Sequence, residues 1–86
     1  MNISIDISMY PLSEDFQPPI IEFIRSLRRS GFHVEENGLS TQVFGPYKEL
    51  MEFLSGSIYH SLQQEKNCVF VMKIVSGDRK EHDPDY

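Results

Sequence analysis

Cysteine is nearly missing from this sequence. Cys68 stands alone, so no internal disulfide can form, and its place in an apolar run marks a reduced core thiol, not a reactive one. Positive charge is scarce too. Eight Lys and Arg face thirteen Asp and Glu, for a formal charge of −5. That balance argues against broad contact with nucleic acid, whose affinity comes mostly from Lys and Arg neutralising phosphates. The local exception is Arg25, Arg28 and Arg29, on the polar side of an amphipathic helix, where they read as a solvated face. No apolar run approaches the roughly 18 to 20 residues that cross a bilayer. The N-terminus has no basic segment followed by an apolar block, so no membrane association and a cytoplasmic location are expected.

Chemistry-bearing clusters are also lacking. His33, His60 and His82 are expected on a strand, a helix and the tail, without the close-spaced ligand pairs of a zinc site. His82, Asp83 and Asp85 lie in a polar tail that reads as solvated. Cys68 has no base within reach in sequence, and there is no glycine-rich phosphate loop. No metal, no cofactor and no enzymatic activity are expected.

What remains is a chain of 86 residues, 40% hydrophobic and 12% aromatic, enough for one small core. Residues 3 to 10 alternate strictly, with Ile3, Ile5, Ile7 and Met9 on one side and Ser4, Asp6, Ser8 and Tyr10 on the other, the period of a strand. Pro11 ends that ladder, and Ser13, Glu14 and Asp15 form an acidic turn suited to a helix N-terminus. Pro18 and Pro19 fit only a first helical turn. Ile20, Ile21, Phe23, Ile24 and Leu27 then recur at helical spacing, and Gly31 is placed to close the helix as a left-handed cap. Phe32 to Val34 read as a second strand, Glu36, Asn37 and Gly38 as a tight turn, and Leu39 to Phe44 as a third strand. Gly45 and Pro46 break it, Pro46 starting a second helix that carries Tyr47, Leu50, Met51, Leu54, Ile58 and Leu62 and ends near Asn67. The run from Cys68 to Val75 reads as a strand buried on both sides.

The order βαββαβ predicts an α+β, ferredoxin-like domain over residues 1–76, a four-stranded antiparallel sheet with two helices on one face. Residues 77–86 are expected to form a polar, flexible tail. Strands one and three take the centre, and the other face of the sheet stays bare. Val69, Val71, Lys73 and Val75 share one side of strand four, and on the bare face Asp6 would pair with Lys73. A bare face with valines calls for cover, which a second copy supplies most simply: a dimer or tetramer through sheet faces.

Candidate binding residues come from strands one and three. Ser40, Thr41 and Gln42 are polar where folding does not require it, and Asp6 lies on the adjacent strand. Met9, Tyr10, Phe44 and Tyr47 supply apolar or aromatic walls for a small polar heteroaromatic, in a pocket placed between strand ends and the second helix. Strand alternation lets only one of Ser40 and Thr41 point into a pocket by side chain, and Thr41 is favoured.

A first strand ending in MYPL and a third strand LSTQVFG, within βαββαβ order, resemble the YkoF-like thiamine and hydroxymethylpyrimidine-binding family over about residues 3 to 76. Ser40, Thr41 and Gly45 match its third-strand pattern. The resemblance implies a domain that binds the pyrimidine part of thiamine without transforming it and pairs sheet to sheet with another copy. Many relatives carry two such domains in tandem, whereas this chain has one. The alternative is a regulatory or assembly module whose open sheet binds a partner protein.

Overall fold

The computed structural model describes residues 1–80. Its elements run β1 (Asn2–Pro11), α1 (Gln17–Arg28), β2 (His33–Glu36), β3 (Thr41–Pro46), α2 (Tyr47–Gln64) and β4 (Cys68–Ser76). The strands form one antiparallel sheet in the order β2-β3-β1-β4, so the ferredoxin-like α+β expectation holds. Among the described residues no helix is long and apolar enough to cross a membrane.

Alternation on β1 decides which face is covered. Ile3, Ile5, Ile7 and Met9 are buried beneath the helices with Val43 of β3, Phe23 and Leu27 of α1, and Leu50 and Leu54 of α2. Burying each such side chain stabilises the fold by about 1.5–3 kcal/mol. α1 lies against β1 and α2 against β3. The helices are joined by a 2.8 Å hydrogen bond between the Ser26 and Ser57 hydroxyls. Arg28 forms a two-pronged pair with Glu36, both contacts at 2.7 Å, tying the end of α1 to β2.

Several boundaries move from their expected places, each for a local reason. The acidic turn does not cap α1: its N-cap is Phe16, no side chain bonds the free amides there, and Pro18 and Pro19 occupy the first turn. The helix stops at Arg28 with Arg29 as its C-cap, and Gly31 takes its positive φ of 88° two residues later. Leu39 and Ser40 fall in the β2–β3 turn instead of on the strand, because the Asn37 side-chain oxygen accepts both of their backbone N–H groups, at 2.9 and 3.1 Å. Gly45 does not break β3, which pairs through Pro46 opposite Asn2. A Cβ on Gly45 would lie 2.8 Å from the Phe32 ring, so the strand needs glycine there to let Phe32 pack beneath it. Pro46 is the extended N-cap of α2, and Tyr47 is its first helical residue.

The expectation that β4 is buried on both sides is overturned. β4 is an edge strand, and Val69, Val71, Met72 and Ile74 are exposed. A continuous apolar run marks a strand but does not say whether layers cover it. Beyond it, Gly77 and Arg79 are tied to β1. The Ser4 hydroxyl donates to the Gly77 carbonyl and accepts from the Arg79 N–H, both at 2.8 Å. The tail expected from residue 77 is thus anchored at its start, and residues 81–86 lie outside the described residues.

Candidate functional site

Strand register sorts the candidate residues between two faces. Ile7 stands opposite Thr41, and Ile5 opposite Val43, so Thr41 shares the helix-covered face with Ile7 and Met9. Asp6 stands opposite Gln42 and, on its other side, opposite Lys73, which puts Asp6, Gln42 and Phe44 on the bare face.

On the helix side a cavity of about 330 Å³ opens at one end of the sheet. Its floor is Ile7 and Met9 of β1, its far wall Ile20, Phe23 and Ile24 of α1, and its rim the β2–β3 turn with Tyr10, Ser40 and Thr41. Thr41 is only 7% exposed, and its hydroxyl makes no hydrogen bond among the described residues. No fully buried side-chain polar atom there lacks a partner, so the Thr41 hydroxyl is reached from the cavity. Solvent reaches the hydroxyl through the cavity in the free protein, and a ligand group seated there would replace that water. The apolar walls and single polar group match the general make-up of small-molecule sites.

The bare face carries a polar network. The Asp6 carboxylate accepts from the Ser40 hydroxyl at 2.5 Å and from the Gln42 amide at 2.8 Å. The Gln42 amide also donates to the Ser40 hydroxyl at 2.8 Å, and Asn37 donates to the Gln42 carbonyl at 3.1 Å. These bonds, Ser40 first and then Gln42, hold the Asp6 carboxyl below its ordinary value of 3.8, with Lys73 adding to the shift and burial opposing it. A shallow cavity of about 360 Å³ lies over this face, bordered by Asp6, Phe44, Lys73 and Arg79. Phe44 meets His33 edge to face at 5.5 Å between ring centres.

The structure therefore divides the expected site. Thr41 and Met9 meet in the helix-side cavity, with Ser40 and Tyr10 at its rim, whereas Asp6 and Phe44 belong to the bare face. Tyr47 joins neither. The pocket is closed by α1, not α2 as expected, because β3 runs antiparallel to β1. Its start, Thr41, lies at the cavity, and the six-residue strand carries Tyr47 roughly 20 Å away, where its N–H bonds the Met1 carbonyl at 2.8 Å. Ile20, Phe23 and Ile24 were missed as site walls. Their helical spacing was visible, but it marks a core face and does not show that the core leaves a gap. Among the described residues no group of His, Cys, Asp and Glu could hold a metal ion.

No protein-family model and no curated protein matches the chain. Solved structures do. A Streptococcus pneumoniae protein matches with a TM-score of 0.84 at 24% identity, covering 91% of this chain and 89% of its own. A Thermotoga maritima protein provisionally named for thiamine biosynthesis or salvage matches with a TM-score of 0.81 at 22% identity, covering 90% and 85%. A Bacillus cereus domain of unknown function, DUF77, gives 0.75 at 15% identity over 90% and 77%. At these identities the likeness establishes the fold.

Proposed function

We propose that this chain is a non-enzymatic, YkoF-like binding protein for thiamine, its hydroxymethylpyrimidine moiety or a related small heteroaromatic. The observation that carries the reading is the Thr41 hydroxyl, bonded to no other group among the described residues and set at the mouth of an apolar cavity. An aminopyrimidine suits that arrangement. Its flat ring fits between Met9 and the α1 residues Ile20, Phe23 and Ile24, and its ring nitrogen or amino group pairs with the hydroxyl. A cavity of about 330 Å³ lies at the small end of ligand pockets, which run from about 300 to 1,000 Å³, and so favours the pyrimidine half over whole thiamine. The name carried by the Thermotoga maritima neighbour supports the same ligand class. Two copies pairing through their bare sheet faces would cover the exposed Val69 and Val71.

Isothermal titration with hydroxymethylpyrimidine and with thiamine tests this reading. Saturable heat in the folded protein supports it, and its absence at high micromolar ligand rules it out. A second reading, an assembly module that docks a protein partner on the bare face, rests on the same exposed valines. It predicts no small-molecule heat at all.

A further inference from the structure

The rim of the helix-side cavity is fastened from the opposite face of the sheet. Residues 37–40, the β2–β3 turn, form that rim together with Glu36 and Thr41. The backbone ladder stops short of them, since Thr41 is the last residue of β3 paired with β1, opposite Ile7, and with β2, opposite Glu36. Most hydrogen bonds of the turn stay inside the hairpin. The Asn37 side-chain oxygen accepts from the Leu39 and Ser40 N–H groups, the Asn37 N–H donates to the Ser40 carbonyl at 3.2 Å, and the Gln42 amide bonds both Asn37 and Ser40. Those contacts set the shape of the turn but not its position over β1. Among the described residues one hydrogen bond ties the turn to β1, from the Ser40 hydroxyl to the Asp6 carboxylate at 2.5 Å. Ser40 thus borders the cavity and bonds a group on the far side of the sheet.

We propose that Asp6 is a positioning residue for the cavity: without touching a ligand, it anchors Ser40 and so fixes both the rim and the adjoining Thr41 hydroxyl. The inference rests on the reading of that cavity as a ligand site. Parity keeps Asp6 itself out of the cavity, because its neighbours Ile5 and Ile7 are the residues of β1 buried on the helix side. Its effect must pass through Ser40. Two donors converge on one Asp6 oxygen, the Ser40 hydroxyl and the Gln42 amide at 2.8 Å, and bonds to an ionised acceptor are shorter and stronger than neutral ones. A rim held this way is ordered before a ligand arrives, so less freedom is lost on binding. The same bond explains why two sequence neighbours serve opposite faces. Ser40 takes the anchor on the bare face, which leaves the Thr41 hydroxyl for the cavity.

The test uses the full chain and two readouts. In calorimetric titration with hydroxymethylpyrimidine, Asp6→Ala is expected to weaken binding about tenfold. Asp6→Asn keeps a side-chain oxygen that accepts from Ser40 and Gln42, and it is expected to stay within about threefold of wild type. In a Ser40→Ala background, Asp6→Ala is expected to cost nothing further, because the contact through which it acts is already gone. The second readout needs no ligand: hydrogen exchange at the Leu39 and Ser40 amides should quicken about tenfold in Asp6→Ala while the β1–β4 ladder keeps its wild-type rates. Should Asp6→Ala misfold, Ser40→Ala breaks the same bond from its other end and should give the same exchange pattern. Absence of heat in the wild type would overturn the ligand reading, and exchange would still decide whether Asp6 anchors the rim. Undiminished affinity in Asp6→Ala, losses that add in the double variant, or turn amides exchanging at the wild-type rate would each overturn the proposal.

Discussion

Ser40 and Thr41 are neighbours in sequence and serve opposite faces of the sheet. Ser40 donates to Asp6 on the bare face at 2.5 Å, whereas Thr41, opposite Ile7, faces the helices with its hydroxyl free at the cavity. The first residue is part of a closed network, and the second bonds no other group among the described residues.

Thr41→Val should separate binding from folding. Valine keeps the shape and removes a solvent-reached hydroxyl that bonds no described protein group, so stability at neutral pH should stay within about 1 kcal/mol of wild type or rise. Hydroxymethylpyrimidine affinity should fall at least about tenfold, the loss of roughly one hydrogen bond of 1.4 kcal/mol or more. Urea unfolding and calorimetric titration of the two proteins check both halves.

Asp6 should give the fold an acid-sensitive limb. Its carboxyl lies below 3.8 in the folded protein, chiefly through the Ser40 bond. A depressed folded value means that its stabilisation is present above the unfolded value, near pH 4, and is lost as pH falls through the folded one. Asp6→Asn should therefore flatten the decline in stability below about pH 4 relative to wild type. Ser40→Ala should shift the Asp6 titration upward, which carboxyl NMR would register.

Gly45→Ala should destabilise the fold by about 1–3 kcal/mol through overpacking, since the added methyl would sit 2.8 Å from the Phe32 ring. Combining it with Phe32→Leu should recover part of that loss. A double-mutant cycle with no coupling would show that the close approach is not the cause.

Phe23 and Phe70 meet edge to face with ring centres 5.0 Å apart and planes inclined at 65°. A cycle of Phe23→Leu and Phe70→Leu should return a coupling of about 0.5–1.5 kcal/mol beyond the area lost. Because Phe70 lies on β4, this contact fastens the edge strand to α1.

Much of this was legible in the sequence, and the remainder follows from geometry that a linear pattern does not carry. Alternation in β1 announced both the strand and its covered side, and Pro18 with Pro19 marked the first turn of α1. Alternation and strand order also set Asp6 and Lys73 on one face, whereas their direct register comes from the strand pairing itself. The exposure of β4 was hidden, because Val and Ile are as abundant in a bare edge strand as in a covered central one. The site was half visible. Thr41 and Met9 share a face by parity, but Tyr47 could be placed only once β3 was known to run away from the cavity. Ile20, Phe23 and Ile24 announced a core and gave no sign of the gap beside it.

The central claim is that a small heteroaromatic binds on the helix side of the sheet at Thr41. Methyl NMR of the protein titrated with hydroxymethylpyrimidine tests it most directly, since isoleucine, methionine and valine methyls report the two faces separately. Saturable shifts at Met9, Ile20 and Ile24, absent in Thr41→Val, are the expected result. Shifts confined to Val69, Val71 and Val75 on the bare face, or none at saturating ligand, would contradict it.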